Sequence, residues 1–298
     1  MNRVMKRNKI NSDRSWIFPV TGVVLALYSL LLVLFFIWAL LSSFKANLDF
    51  SNNLFGWPRK WMFSNYRVAF ENFFIQVQEK GHLRNVYMGE MFLNSILYTV
   101  GSSFAATVIP CIVGYLTAKF PYRFSRWLIN ITIICLIIPI IGSLPSQLQI
   151  SKTMGLYDQL WGMWIMKANF MSMYLLIFNS AFKAIPDAYS EAARIDGASE
   201  TKVLLSIALP LVRSLFFTIM LIQAIGFWND YQTPMLFMPD RPTVAYGLYV
   251  FNQGTITQLN TVPFKLTAAL EMMAPILIIF ILFNKKIIGN VTMGGLKQ

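Results

Sequence analysis

Residues 16–42 read WIFPVTGVVLALYSLLLVLFFIWALLS, a run without one charged side chain. A helix rises 1.5 Å per residue, so about 20 apolar residues cross the roughly 30 Å hydrocarbon core of a bilayer. Inside that core each backbone N–H and C=O must find its partner within the protein, which leaves helices or closed barrels. The run lacks the apolar–polar alternation of a barrel strand, so it is expected to be a helix. Arg3, Lys6, Arg7 and Lys9 precede it, as they would precede a secretory signal. The apolar run is too long for one, and no small-x-small site closes it, so a retained first helix is expected.

Five more apolar segments follow, at about 92–118, 127–147, 161–182, 210–236 and 263–284. Of the 298 residues, 56% are hydrophobic and only 13% charged, about half the usual share for a soluble chain. Mean hydropathy is +0.54. Length alone fits one or two soluble domains, but these segments overrule it. The net charge of +12 is not gathered on one face or helix, which argues against nucleic-acid binding. The basic residues lie between the apolar segments, where positive charge sets orientation. Cys111 and Cys135 sit inside apolar segments with no nearby histidine or second thiol, so no zinc or redox site is expected. His82, the only histidine, lies in a polar connection.

Three basic stretches fall on one side of a six-span chain. They are the tail with Arg3, Lys6, Arg7, Lys9 and Arg14; the connection with Lys119, Arg123 and Arg126; and the end with Lys285, Lys286 and Lys297. That side is read as cytoplasmic. The expected organisation is a cytoplasmic tail at 1–15, a first helix at 16–42 and an outer segment at 43–91. A membrane core at 92–284 and a cytoplasmic tail at 285–298 follow. The fold class is therefore an all-α membrane protein with six transmembrane helices.

The cytoplasmic connection at 183–209 departs from this charge rule. It holds Lys183, Arg194 and Lys202 against Asp187, Glu191, Asp196 and Glu200. More acid than base implies a use other than orientation. Its pattern is two short helices with a break between the fourth and fifth spans. Pro186 suits a first helical position, and Asp187 complements the helix dipole. Gly197 frees the backbone for a turn, Ser199 can cap a second helix, and Pro210 ends that helix or starts the fifth span.

The run Glu191-Ala192-Ala193, Asp196-Gly197-Ala198 and Ile207-x-Leu209-Pro210-Leu211 resembles the "EAA" loop of binding-protein-dependent ATP-binding-cassette importer permeases. Arg213 stands where many sugar permeases have a second proline. Phe55-Gly56-Trp57-Pro58, Asn65-Tyr66-Arg67, Asn94-Ser95, Gly155-Leu156, Trp228-Asn229-Asp230 and the tail Gly294-Gly295-Leu296-Lys297 are similar to the carbohydrate branch of that family.

The resemblance implies a non-catalytic permease subunit in a bacterial cytoplasmic membrane, with both termini cytoplasmic. It implies a homologous second permease, two copies of an ATPase subunit, an extracytoplasmic solute-binding protein and an oligosaccharide substrate. Glu191, Ala192, Ala193, Asp196, Gly197 and Pro210 would couple the chain to the ATPase. The chain has no G-x-x-x-x-G-K-[ST], so ATP and Mg would be bound by that separate polypeptide, and no cofactor is expected here.

Polar groups inside membrane segments mark functional or packing sites. The candidates for a substrate pathway are Asn179, Gln223, Trp228, Asn229, Asp230 and Glu271, with Asn130 also in this class; for any single amide, packing between helices is the default reading. A permease for a peptide or amino acid is an alternative that the outer-loop and tail motifs disfavour. An ion-coupled secondary transporter would show buried acid pairs, whereas the acids cluster in the cytoplasmic loop. A membrane-embedded enzyme would need a catalytic pair that the sequence lacks.

Overall fold

The computed structural model describes residues 17–79, 81–138, 142–253 and 260–293; the N-terminal tail and the final Gly294–Gln298 motif lie outside them. Helix α1 (Ile17–Ser43) is followed by two short helices, α2 (Asn47–Asn52) and α3 (Ser64–Asn72), and a hairpin of β1 (Phe74–Glu79) and β2 (His82–Tyr87). Helix α4 (Met88–Lys119) is the most buried of the long helices. Then come α5 (Arg123–Ile137), α6 (Leu144–Thr153), α7 (Leu160–Lys167) and α8 (Met173–Lys183). Two short helices, α9 (Ala188–Ile195) and α10 (Glu200–Val203), lead through a π-helical turn (Leu204–Ala208) into α11 (Leu209–Asn229). Helices α12 (Gln232–Phe237), α13 (Val244–Asn252) and α14 (Val262–Met293) complete the described chain.

Among the described residues, four helices are long and apolar enough to cross a membrane: Phe18–Ser43, Met88–Lys119, Glu200–Asn229 and Val262–Leu282. The other two expected segments are interrupted. The segment at 127–147 leaves its helix at Ile137, and the next begins at Leu144. The segment at 161–182 breaks at 168–172, where the Asn169 side chain accepts the Met171 N–H at 2.9 Å. Asparagine side chains offer the backbone such local partners in competition with the helix. The segment at 210–236 ends its long helix at Asn229, because the Asp230 carboxylate takes the Thr233 N–H at 2.9 Å and begins a separate turn. The last helix, by contrast, runs to Met293, past the expected boundary at 284.

The segment at 43–91, expected as an outer connection, is more structured than the sequence suggested. The hairpin pairs Ile75 with Val86 and Val77 with Arg84 in antiparallel register. Ile75, Val77 and Val86 face inward and pack with Phe73, Met88, Met91, Val244 and Phe251 into one apolar cluster. Gln76 and Gln78 point outward.

Helix α4 sits centrally and packs on α7, α8 and α11. Small side chains on its buried face, among them Ser95, Ser102, Ser103, Ala106 and Gly114, let neighbouring backbones approach. A second apolar cluster joins Cys111 and Tyr115 of α4 to Phe178 and Phe182 of α8 and to Ala208, Val212 and Ile219 around α11.

Gly114 is the tightest point of that packing against α8. A Cβ there would come within 2.7 Å of the Phe178 Cβ and 3.1 Å of the Asn179 backbone nitrogen. Gly114→Val should destabilise the α4–α8 pair by about 1–3 kcal/mol, the usual cost of overpacking. Denaturation of the purified chain in detergent should show the loss; unchanged stability would contradict this packing.

Candidate functional site

Two regions bring functional side chains together: the α8–α11 connection and the C-terminal end of α11. In the connection, Lys119, in the last turn of α4, reaches across to the start of the loop. Its Nζ donates to the Ile185 carbonyl at 2.6 Å and to Asp187 Oδ1 at 2.8 Å. The Lys119 side chain is 4% exposed, and its hydrogen bond and charge hold the Asp187 carboxyl below its ordinary pKa range. Helix α9 begins at Ala188, so Pro186 stands just ahead of it, with its carbonyl accepting the Tyr189 N–H.

The end of α9 is closed by backbone geometry. Gly197 has φ +79, its N–H bonds to the Arg194 carbonyl, and the Ala198 N–H bonds to the Ala193 carbonyl. This is a Schellman motif, whose left-handed residue favours glycine. Nothing lies within 4 Å of a Cβ built at Gly197, so the demand is on the backbone conformation and not on space. Arg194 then spans the turn, donating from Nε to Glu200 Oε1 at 2.6 Å and from Nη2 to Glu200 Oε2 at 3.2 Å. Ser199 caps α10 through a long 3.4 Å contact with the Lys202 N–H.

Helix α9 is amphipathic. Ser190 is buried and Ala193 half-buried, while Tyr189, Glu191, Ala192 and Ile195 are exposed. Ile195 is 86% exposed, and the Glu191 carboxylate makes no hydrogen bond or ion pair among the described residues, although its N–H donates to the Asp187 carbonyl at 2.9 Å. Pro210 does not end α10, which stops at Val203; it stands in the first turn of α11, where the sequence expected the fifth span to start. It lacks the N–H that would bond one turn back, and the π turn at Leu204–Ala208 carries the backbone past this gap. The helix is thus continuous over Glu200–Asn229, 30 residues or about 45 Å.

At the far end of that rod, Asp230 collects several partners. Its Oδ2 accepts the Tyr98 hydroxyl at 2.9 Å and lies 3.5 Å from Lys167 Nζ. Lys167 also donates to Thr233 Oγ1 at 3.1 Å and sits over the Phe227 ring. The cluster ties α4, α7, α11 and α12 together.

The remaining sequence candidates are dispersed. Trp228 is buried, its indole N–H donating to the Met272 carbonyl of α14 at 3.0 Å. Asn229 bonds to the Ile225 carbonyl of its own helix. Asn179 is buried and donates to Thr117 Oγ1 at 2.9 Å, while Gln223 is half-buried and Asn130 exposed. Glu271 is half-buried, and its Oε2 is buried without a hydrogen-bond partner among the described residues. Thr267, one turn away, is spent on the Pro263 and Ser43 carbonyls. Lys119, Lys167 and Tyr98 were missed by the sequence reading. Lys167 had a signal, being a lone charge in an apolar stretch. No group of three or more potential metal ligands occurs among the described residues.

The sequence profile of the family described as binding-protein-dependent transport system inner membrane component matches residues 106–289, more than half of the chain. The chain belongs to this family. The matched residues include the whole α9–α10 loop and the α11 rod. The diacetylchitobiose uptake system permease protein NgcG of Streptomyces coelicolor is 23% identical over 298 residues, covering 97% of this chain and 92% of that one. The melibiose/raffinose/stachyose import permease protein MelC of Bacillus subtilis is 26% identical over 262 residues, 87% of this chain and 89% of that one. A bacterial ABC transporter involved in the import of the acidic polysaccharide alginate has a chain of the same fold. It superposes with a TM-score of 0.75 at 20% identity, over 92% of this permease and 98% of that chain.

Lys119 is the tether between α4 and the loop. Lys119→Ala strands the Ile185 carbonyl and frees Asp187, so amide hydrogen exchange across 188–196 should quicken by about tenfold or more. Unchanged exchange there would mean that the loop is held by other contacts.

Proposed function

We propose that this permease subunit forms one half of the translocation pathway of a carbohydrate importer. The substrate is an oligosaccharide, and a separate ATPase drives transport. The observation that carries this reading is the α9–α10 loop. It presents an unpartnered face of Tyr189, Glu191, Ala192 and Ile195, and it is continuous through the π turn with a helix long enough to cross the membrane. The carbohydrate assignment is supported by relatives whose names specify diacetylchitobiose, melibiose, raffinose and stachyose.

In this reading the chain crosses the membrane six times with both termini cytoplasmic. The interrupted pairs α5–α6 and α7–α8 supply the third and fourth crossings. Non-helical backbone at membrane depth is tolerated where protein or a water-lined cavity surrounds it. A homologous second permease completes the pathway, two ATPase subunits bind ATP and Mg, and a solute-binding protein delivers the sugar.

Coupling is mechanical. A groove on the ATPase receives α9; small Ala192 permits close approach, and Glu191 accepts from a basic partner residue. Closure of the ATPase moves α9, and the Schellman turn with the Arg194–Glu200 bridge passes that movement to α10. The rod from Glu200 to Asn229 then carries it to the Asp230–Lys167–Tyr98 cluster at the other end. ATP binding thereby favours one of two permease conformations. Asp230 and Asn179 act as ties between elements. Glu271, with its unpartnered oxygen, is the acid available to sugar hydroxyls or to the second permease, and Gln223 and Asn229 are the remaining amides on the rod.

Gly197→Val tests the turn, because a β-branched residue is strained at φ +79. The variant should insert and assemble yet lose most sugar-stimulated ATP hydrolysis in reconstituted vesicles. Glu191→Ala should weaken docking by about 1–3 kcal/mol. Normal transport by a well-expressed Gly197→Val chain would defeat this account of the loop.

A further inference from the structure

The span Phe18–Ser43 of α1 is 26 residues, or about 39 Å, against a hydrocarbon core of about 30 Å. Its apolar window has no buried residue, while its C-terminal end packs on α14, with Ser42 and Ser43 buried. Shared between the two ends, the excess places the core boundary about three residues before Ser43, near Leu40. The helix ends past that level, at Ser43, and the chain turns. It folds back beside the helix it has just completed.

Buried bonds fix that return. Lys45 is 1% exposed and donates from Nζ to the Asn53 carbonyl at 2.6 Å and the Leu54 carbonyl at 3.3 Å. Asn65 Nδ2 donates to the Ser43 and Lys45 carbonyls, and the Met62 N–H donates to the Phe44 carbonyl. The Trp38 indole N–H donates to the Leu54 carbonyl at 3.0 Å. Trp38 lies five residues before the helix end, so Leu54 stands about 8 Å below that end, about 3 Å to the core side of the boundary near Leu40.

Residues 44–63 display apolar side chains between this depth and the helix end, where the Met62 N–H meets the Phe44 carbonyl. Leu48, Phe55, Trp57 and Phe63 are 78%, 80%, 71% and 68% exposed. Trp61 stacks on Phe63 at 6.2 Å, and Phe44 packs against both rings. Arg59 and Lys60 stand among them, with Arg59 steadied by Asp49 at 3.7 Å. Exposed rings of this number are unfavourable in water. Tryptophan and basic side chains together match the phospholipid headgroup layer, where ring edges meet water and cations meet phosphate.

We propose that residues 44–63 form a lipid-binding collar at the C-terminal end of α1. Phe55, Trp57, Trp61 and Phe63 enter the headgroup layer, and Arg59 and Lys60 meet phosphates. A soluble partner could cover the rings, but the Trp38–Leu54 bond sets Leu54 and Phe55 below the helix end, and the Met62–Phe44 bond holds Trp61 and Phe63 level with that end, within the few ångströms beyond the core boundary that headgroups occupy. Which leaflet is occupied follows from the topology proposed above; depth is measured independently of it.

The test is spin-label accessibility in the full chain, assembled with its partner subunits in vesicles of phosphatidylethanolamine and phosphatidylglycerol. Labels are placed at Phe55→Cys, Trp57→Cys and, as a water-exposed reference on the hairpin, Gln76→Cys, in a chain carrying Cys135→Ala. At 55 and 57 the ratio of collisions with oxygen to collisions with a soluble nickel chelate should exceed that at 76 by about fivefold or more. A ratio at 55 and 57 equal to that at 76 would overturn the proposal. So would low access to both reagents that persists in detergent micelles, since that means a protein partner covers the collar.

Discussion

A backbone that crosses a bilayer has no water to satisfy its N–H and C=O groups, and the architecture follows from how each is supplied with a partner. Among the described residues, four long helices supply them internally. Where the helices stop, side chains take over: Asn169 at the α7–α8 break and Asp230 at the end of α11 each accept a backbone N–H. Pro210 withholds an N–H in the middle of a rod, and a π turn bridges the gap without a break. Helix α4 can then occupy the centre because glycine, alanine and serine on its buried face let α7, α8 and α11 approach.

Part of this was legible in the sequence because the length of an uncharged apolar run is a strong signal. The uncharged run at 16–42 and the loop at 183–209 fall close to α1 and to the α9–α10 turn. Gly197 was readable as a turn residue, and its φ of +79 gives the physical reason. Hydropathy averages over windows longer than a single turn, so it passed over the interruptions at 168–172 and 230–231. The hairpin escaped because its alternation is short. Ile75-Gln76-Val77-Gln78 followed by Gly81 carries the pattern, but it lies in a connection read by charge and not by period.

The site was legible in one region and not in the other. The loop lies along the chain, so its residues could be read in order. The Asp230 cluster is assembled from four helices, and nothing in the sequence spacing links Tyr98, Lys167 and Asp230. Inspection of polar residues in apolar segments finds Asp230 but not its partners. A carboxylate already engaged by a hydroxyl, an ammonium and a backbone N–H serves as a tie more readily than as an open sugar ligand. Glu271 differs, because one of its oxygens is left without such partners among the described residues.

The central claim is that force enters this permease through the exposed face of α9. It is tested most directly by placing a photo-crosslinking residue at Ala192 in the full chain, coexpressed with its partner subunits, with Gln76 on the β1–β2 hairpin as the reference position. Illumination should join position 192 to the nucleotide-hydrolysing subunit, in a yield that changes when ATP is bound, while position 76 gives no such adduct. Capture of that subunit equally from both positions, or from neither in an assembled complex, would contradict the account.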